Sequence, residues 1–370
     1  MKVALDATPL LGVRTGVGQY VHGLVEGLAQ LDEPDELVLV PFTWRGTRDL
    51  PGVAPVGPRV RCGRRRVPAR LLRAAWERVP LPPVEWLSGR VDVFHATNFV
   101  LPPTRRAAGV LTVHDLTYLR FPAMVTAATA HYTTLVPRGL ARGATVCTPT
   151  AAVAAEVAEA YGVAPERVLV TPLGVSAAWS EARPPERSWL EAHALPEHYL
   201  LFVGSREPRK GLDTLLNAYR ELLAGTPGVP PLVLAGPPGW GEDLDLGGLP
   251  EGAVRMPGYL PERDLRRLVA GAAALVFSSR YEGFGLPPLQ ALACGTPVVA
   301  SDLPALREVL GDQADLVPVG DHTALAGALA AVLKDDGGED GRAARRRHAA
   351  GFTWERCARA TIAAYRRALT

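Results

Sequence analysis

The sequence predicts an α/β protein built from two doubly wound, Rossmann-like units, and three observations carry that prediction. Short apolar runs of the kind buried in parallel sheets alternate with helix-periodic segments along most of the chain. The alternation starts afresh at Tyr199-Leu200-Leu201-Phe202-Val203, after an earlier series that begins at Val3. In both halves a polar, glycine-containing loop stands where a strand hands over to a helix, the place where open α/β sheets bind ligands.

Taken in order, the first half offers strands over Val3 to Leu5, Leu37 to Val40, Val91 to His95, Val110 to His114 and Ala144 to Cys147, with helices over Gly18 to Leu31 and Ala151 to Tyr161. The second half adds strands over Tyr199 to Val203, Leu232 to Ala235, Ala273 to Phe277 and Val298 to Ala300. Its helices are expected over Gly211 to Leu223, Asp264 to Ala270 and Leu286 to Cys294. The divide falls near Pro172-Leu173-Gly174-Val175, before the proline-bearing polar stretch from Ala182 to Arg187. The expected domains are therefore 1–172, joined by a closing helix within 354–370, and 173–353. A cleft between the halves is the expected active site.

A chain of 370 residues is long enough for two ordinary cores. Its formal charge of +2, with 21% charged residues, argues against an electrostatic nucleic-acid binder. Cys62, Cys147, Cys294 and Cys357 are too far apart for a metal knuckle and read as reduced structural thiols. The amino terminus reaches Asp6 before any leader-like apolar core develops, and no run approaches the roughly 18 apolar residues that a bilayer requires. The expectation is a cytoplasmic enzyme, with contact at the inner face of the membrane as an option. That option rests on Arg59 to Arg78, where eight arginines and one acidic residue surround Leu71, Leu72 and Trp76 at near-helical spacing. Such a segment suits an anionic lipid surface, a phosphate-bearing acceptor, or simply a solvated helix.

The most pointed chemistry lies in Tyr281-Glu282-Gly283-Phe284-Gly285-Leu286-Pro287-Pro288-Leu289-Gln290, an acidic turn directly before an apolar helix. It sets a carboxylate beside the unpaired N–H groups of a helix start, a combination suited to a sugar phosphate. As a turn residue, Glu282 is expected to matter for turnover more than for folding. In Gly204-Ser205-Arg206-Glu207-Pro208-Arg209-Lys210-Gly211, the side chains of Arg206, Arg209 and Lys210 could neutralise a diphosphate. Gly12 to Gly18 is a weaker glycine loop, as compatible with a structural turn as with a binding loop. Val110 to Asp115 ends in His114, an imidazole able to orient a hydroxyl or trade a proton. His95 fits structural support as well as acceptor orientation. The two histidines have no third partner at metal-ligand spacing, so no metal is expected.

These motifs stand in the order found in the retaining glycosyltransferases of family 4, which the chain resembles over nearly its whole length. Thr15-Gly16-Val17-Gly18-Gln19-Tyr20, His114-Asp115-Leu116, Gly204 to Lys210, Gly258-Tyr259-Leu260 and Tyr281 to Pro297 carry the resemblance. It implies the GT-B arrangement, with two Rossmann-like domains facing a central cleft. It also implies metal-independent transfer, with retained configuration, from a nucleotide-diphospho-sugar to an acceptor held by the first domain. The family is closest in feel to bacterial mannosyltransferases, which points to GDP-mannose as donor substrate and to no separate cofactor. The acceptor would be a glycan, a lipid-linked glycan or a small molecule, not a nucleic acid.

On the same resemblance, Glu282 matches the first family carboxylate, close to the donor sugar. Gly283, Phe284, Gly285 and Leu286 match the diphosphate and sugar site, and Lys210 and its neighbouring arginines match phosphate binders. Gly16 and Gly18 match the loop that approaches the reaction centre, His114 the histidine near the sugar, and Thr148 a position often held by serine. Arg280 and the turn from Asp302 to Leu306 are further candidates for nearby surfaces outside the catalytic core; that turn and Glu308 resemble the family's continuation, with structural support as plausible as direct contact. Gln290 departs from the pattern, because family members usually carry a second glutamate there that bonds the donor ribose. The amide keeps an acceptor but loses the charge-assisted bond. Two other readings share these features: a synthase or phosphorylase acting on a small acceptor, and a catalytically weak nucleotide-sugar-binding partner in polysaccharide assembly.

Overall fold

The computed structural model describes residues 1–12, 15–44, 49–55, 57–63, 65, 67, 69–240 and 243–370. Val13 and Arg14 of the first glycine loop, and Arg64 and Arg66 of the basic segment, lie outside the described residues. The chain forms two compact units, Met1–Gly174 with Phe352–Thr370, and Val175–Gly351.

The first unit is built on a seven-stranded sheet among the described residues, with every pairing parallel. Its strands are β1 (Lys2–Asp6), β2 (Glu36–Val40), β3 (Val60–Cys62), β4 (Val93–Ala96), β5 (Ala108–Thr112), β6 (Thr145–Thr148) and β7 (Val168–Val170), in the spatial order β3-β2-β1-β4-β5-β6-β7. The inner strands are apolar runs because helices cover both faces of a parallel sheet, leaving neither face for water. Helix α1 (Gly16–Gln30) follows β1 and buries Tyr20, Val21, Leu24, Val25 and Leu28, a stripe at helical spacing. The C-terminal helix, Trp354–Leu369, returns to this unit and packs on α1, β5 and β6. The contact is intimate: a Cβ at Gly23 of α1 would stand 2.1 Å from Cε2 of Trp354.

The basic segment does not form one helix with a free apolar face. Its first part is β3, and among its described residues only Ala69–Trp76 is helical (α2). Leu72 and Trp76 belong to the core of the unit, where the Trp76 indole meets Phe42 edge-on and donates to the Pro82 carbonyl at 3.0 Å. Leu71 alone of the three apolar side chains faces out, at 70% exposure. The competing force is core burial, which claims two bulky side chains that a lipid surface would otherwise take.

The second unit repeats the plan with six strands among the described residues: β8 (Leu200–Val203), β9 (Leu232–Ala235), β10 (Val254–Gly258), β11 (Ala274–Phe277), β12 (Val298–Ser301) and β13 (Asp315–Val317). Their spatial order is β10-β9-β8-β11-β12-β13, again all parallel. The order reverses direction at β8 and β11, the switch point where such sheets present ligand sites. The loops leaving those two strands are Gly204–Gly211 and Ser278–Gly285. They lead into helices α3 (Leu212–Gly225) and α4 (Leu286–Cys294) respectively. No helix among the described residues is long and apolar enough to cross a membrane.

Candidate functional site

The loops that leave β8 and β11 bring Arg209, Lys210 and Glu282 into one cluster. Lys210 Nζ donates to Glu282 Oε1 at 2.7 Å, and Arg209 Nη1 lies 3.0 Å from Oε2. These side chains are nearly out of water, with Glu282 at 10% and Lys210 at 11% exposure. Phe277, the last residue of β11, sets its ring 5.0 Å below the Lys210 ammonium. Glu207 flanks Arg209 at 3.6 Å and accepts a hydrogen bond from the Ser205 hydroxyl at 2.6 Å.

Burial alone would raise the carboxyl pKa of Glu282. The adjacent Arg209 and Lys210 charges outweigh it and hold the group down, at about 2. Burial also pulls the Lys210 ammonium below its ordinary value, while Glu282 opposes the pull. Near neutral pH Glu282 is therefore an anion held between two cations, and Glu207 beside Arg209 brings a second carboxylate to the cluster. The turn carboxylate is a buried, doubly paired group, so the expectation that its loss would spare the fold does not hold: removing one partner of such a cluster leaves charge uncompensated.

Two glycines make this geometry accessible. Gly211 has φ +62°, and a Cβ there would approach the Ser278 carbonyl oxygen to 2.2 Å. Gly285 has φ +89° and caps α4 without any side-chain hydrogen bond. The first turn of α4 starts at Leu286, directly behind the Glu282-Gly283-Phe284 turn, but Pro287 and Pro288 carry no N–H and the Leu289 N–H donates to the Gly285 carbonyl at 3.2 Å, so Leu286 alone of this turn can offer an N–H to an anion. Gln290 lies on α4 and is 5% exposed. Arg206 is not drawn into the cluster, because it is exposed and its guanidinium reaches Met256 Sδ at 3.8 Å.

The remaining predicted residues belong to the first unit. His114 lies beyond the end of β5, which closes at Thr112, two residues earlier than the sequence pattern suggests. Its Nε2 donates to the Thr97 carbonyl at 2.8 Å, and its ring meets Tyr20 edge-on at 5.0 Å and Phe99 at 5.5 Å. Burial lowers its pKa, so the ring is neutral, and the Nε2–H tautomer makes Nδ1 the acceptor nitrogen. The same contact brings His114 to α1, where Gly16 opens the helix with no side-chain cap and Gly18 is buried. Thr148 is fully buried and donates to the Thr150 carbonyl at 3.2 Å.

His95 is part of the scaffold. Nδ1 is 2.8 Å from the Tyr365 hydroxyl and Nε2 is 2.7 Å from Thr112 Oγ1, which also meets the Tyr20 hydroxyl at 2.9 Å. Both ring nitrogens are thus taken by protein hydroxyls. Burial drives its pKa down to about 3.

Sequence reasoning assigned no role to Phe277 or Glu207. Phe277 reads as one more residue of a buried strand, and only the fold places Lys210 over its ring. Glu207 stands inside the quoted basic loop, where alternating charge was the available signal.

Comparison with known proteins gives a consistent result. Residues 15–174 match the model of the glycosyl transferase 4-like domain and residues 186–350 that of the glycosyl transferases group 1. The O-antigen chain mannosyltransferase B of Escherichia coli is 31% identical over 386 aligned positions, covering 99% of this chain and 100% of the relative. A D-inositol 3-phosphate glycosyltransferase of Kineococcus radiotolerans is 36% identical over 58% of this chain and 55% of the relative. Among solved structures, sucrose-phosphate synthase from Thermosynechococcus elongatus superposes with a TM-score of 0.76 at 21% identity, over 99% of this chain and 98% of that one.

Proposed function

The chain belongs to the group 1 glycosyl transferases, as a family 4 member with the GT-B fold that resembles bacterial mannosyltransferases, and on that premise we propose retaining transfer of a hexosyl group, mannose first, from a nucleotide-diphospho-sugar. The proposed donor is GDP-mannose and the acceptor a glycan, free or lipid-linked. The observation that carries this reading is the buried Arg209, Lys210 and Glu282 cluster beside the uncapped start of α4.

In the proposed reaction the bond between the anomeric carbon and the diphosphate oxygen breaks as an acceptor hydroxyl forms the new glycosidic bond on the same face. The hydroxyl proton passes to the departing diphosphate. Lys210, Arg209 and the Leu286 N–H, the one donor that the first turn of α4 can offer because Pro287 and Pro288 have none, stabilise the negative charge that grows on the leaving group. Glu282 is too strongly held as an anion to donate a proton near neutral pH, so its proposed work is electrostatic: it orients the cations and faces the developing positive character of the sugar. His114, neutral and accepting at Nδ1, would orient a substrate hydroxyl. Two cationic side chains that can meet the diphosphate, Lys210 and Arg209, support a reaction without a metal.

Peripheral contact with an anionic membrane is proposed as the route to a lipid-linked acceptor. It is supported by the exposed Leu71 and Leu81 in and beside the basic segment, and by Arg65, whose guanidinium donates to the carbonyl of the exposed Trp86.

The decisive test is a panel of nucleotide sugars assayed with and without chelator, followed by anomeric analysis of the glycoside. Selective use of GDP-mannose, indifference to chelator and a retained anomer are expected. A strict divalent-metal requirement in the purified enzyme, or an inverted product, would reject the mechanism.

A further inference from the structure

The loop carrying Arg209 and Lys210 is attached to the loop carrying Glu282 by a set of bonds that centre on Arg280. The Arg280 backbone N–H donates to the Arg209 carbonyl at 2.8 Å. Its guanidinium then reaches further back, with Nη1 donating to the Pro208 carbonyl at 2.9 Å and Nη2 to Asp213 Oδ2 at 2.5 Å. Asp213 is in the first turn of α3, so one arginine spans both sides of the 3-10 turn Pro208–Lys210. A second tie comes from Ser278, whose hydroxyl donates to the Lys210 carbonyl at 3.0 Å. The backbone at Pro208, Arg209 and Lys210 is thereby fixed from the β11 exit, two residues from Glu282.

We infer that Arg280 is a positioning residue for the donor site: through the Pro208 carbonyl and Asp213 it sets where the Arg209 and Lys210 cations stand. The inference rests on the reading of those cations as the diphosphate site. Two cations that must meet two phosphate groups tolerate little displacement, since misplacement by about 1 Å can cost on the order of 100-fold in rate. The planar fork of arginine is what allows one side chain to serve two acceptors in different directions. A lysine keeps the charge opposite Asp213 but has no second fixed donor for Pro208. The bond to Asp213 is solvated, with the Asp213 side chain 62% exposed, so its share of fold stability is small. Stability and positioning should therefore separate.

The test measures binding of GDP and of UDP by calorimetry in the full chain, together with melting temperature, for Arg280→Ala, Arg280→Lys, Asp213→Asn and Lys210→Ala. Arg280→Ala is expected to weaken nucleotide binding about tenfold, with Arg280→Lys close to it and Asp213→Asn milder, on the scale of a misaligned charge-assisted contact. Melting temperature should move little in all three. In transfer assays kcat should fall and the donor KM rise together, because the displaced cations meet both the bound diphosphate and the charge that grows on it. If Lys210→Ala loses affinity while both Arg280 variants bind as the parent does, the positioning inference is wrong and the donor site stands. If Lys210→Ala also binds as the parent does, the donor-site reading itself is wrong. A loss of affinity in both Arg280 variants that tracks a large fall in melting temperature would make Arg280 merely structural and would overturn the inference.

Discussion

Lys210 Nζ and Glu282 Oε1 are 2.7 Å apart, within a cluster that Arg209 closes from the other carboxylate oxygen at 3.0 Å. A donor diphosphate would seek the same two cations. Glu282 thus has two effects on any anionic ligand: it keeps Lys210 and Arg209 charged and placed, and it competes for them.

Glu282→Ala should act on fold and turnover together. Removing the anion strands the buried Lys210, while Arg209 keeps Glu207 and the Tyr281 carbonyl, and breaking one such buried pair costs about 3–5 kcal/mol in comparable sites. Lys210→Ala leaves Glu282 paired with Arg209, so it should cost less stability. Its transfer rate should nevertheless fall on the order of 100-fold, as when a preorganised donor to a developing anion is removed. Urea unfolding beside kinetics at saturating donor would separate the effects. Parental transfer rates in both folded variants would remove this cluster from the donor site.

The fold was legible in its centre and illegible at its edges. Each inner strand is an apolar run that both neighbours and both helical layers bury, as in Val3-Ala4-Leu5 or Leu232-Val233-Leu234. β3, β7, β10 and β13, the four strands at the sheet edges, escaped the pattern. Each has a partner on one side only. β3, β10 and β13 mix polar with apolar residues, and β10 reads Val-Arg-Met-Pro-Gly, with a proline that an inner strand would not tolerate, whereas β7 is apolar but only three residues long. The site follows the same logic. Glu282 and Lys210 could be named from loop chemistry, but their mutual pairing, and the Arg280 ties beneath it, join residues about 70 positions apart. Helical periodicity in Leu71, Leu72 and Trp76 was visible as well. Which of them the core would claim was not.

Buried His95 should make the first unit sensitive to acid. Its folded pKa is depressed to about 3, whereas the unfolded chain protonates near the ordinary value of 6.5. Between those limits the unfolded state binds more protons, so stability rises with pH across the window and is lost as pH falls from about 6.5 toward 3. The slope from this one group approaches about 1.4 kcal/mol per pH unit. His114, also depressed by burial, adds the same sign. His95→Gln should flatten the pH profile of unfolding in this window while lowering stability at pH 8. An unchanged slope would mean that His95 is not the responsible group.

Gly285→Ala tests whether the start of α4 is as tightly set as its backbone suggests. The residue has φ +89°, and an added Cβ would stand 2.4 Å from Leu306 Cδ2 and 3.1 Å from Pro288 Cγ. Strain of this backbone kind costs on the order of 1–3 kcal/mol, before the clash is relieved. The neighbours are side-chain atoms, so Leu306 can move, and a folded but destabilised variant is expected. Its donor KM should rise because the Glu282 turn and the Leu286 N–H shift together. A variant with parental stability and KM would show that the turn is freer than drawn.

Gln290→Glu addresses the point at which the sequence departs from the glutamate that the family resemblance implies. The residue is 5% exposed on α4, and a carboxylate there would be largely desolvated. Desolvation raises a carboxyl pKa, so the folded state would favour the protonated form. The free variant should accordingly match the parent best at low pH and lose stability as pH rises past the ordinary carboxyl value of about 4.3. Donor would reverse that loss if the position meets ribose hydroxyls, because a charge-assisted bond replaces a neutral one, worth roughly twice as much. Nucleotide-sugar affinity should then tighten several-fold at neutral pH, with the product anomer and the rate at saturating donor unchanged. A large change in that saturated rate would instead place the residue 290 side chain in the bond-making step, since only contacts that differ between bound donor and transition state alter kcat.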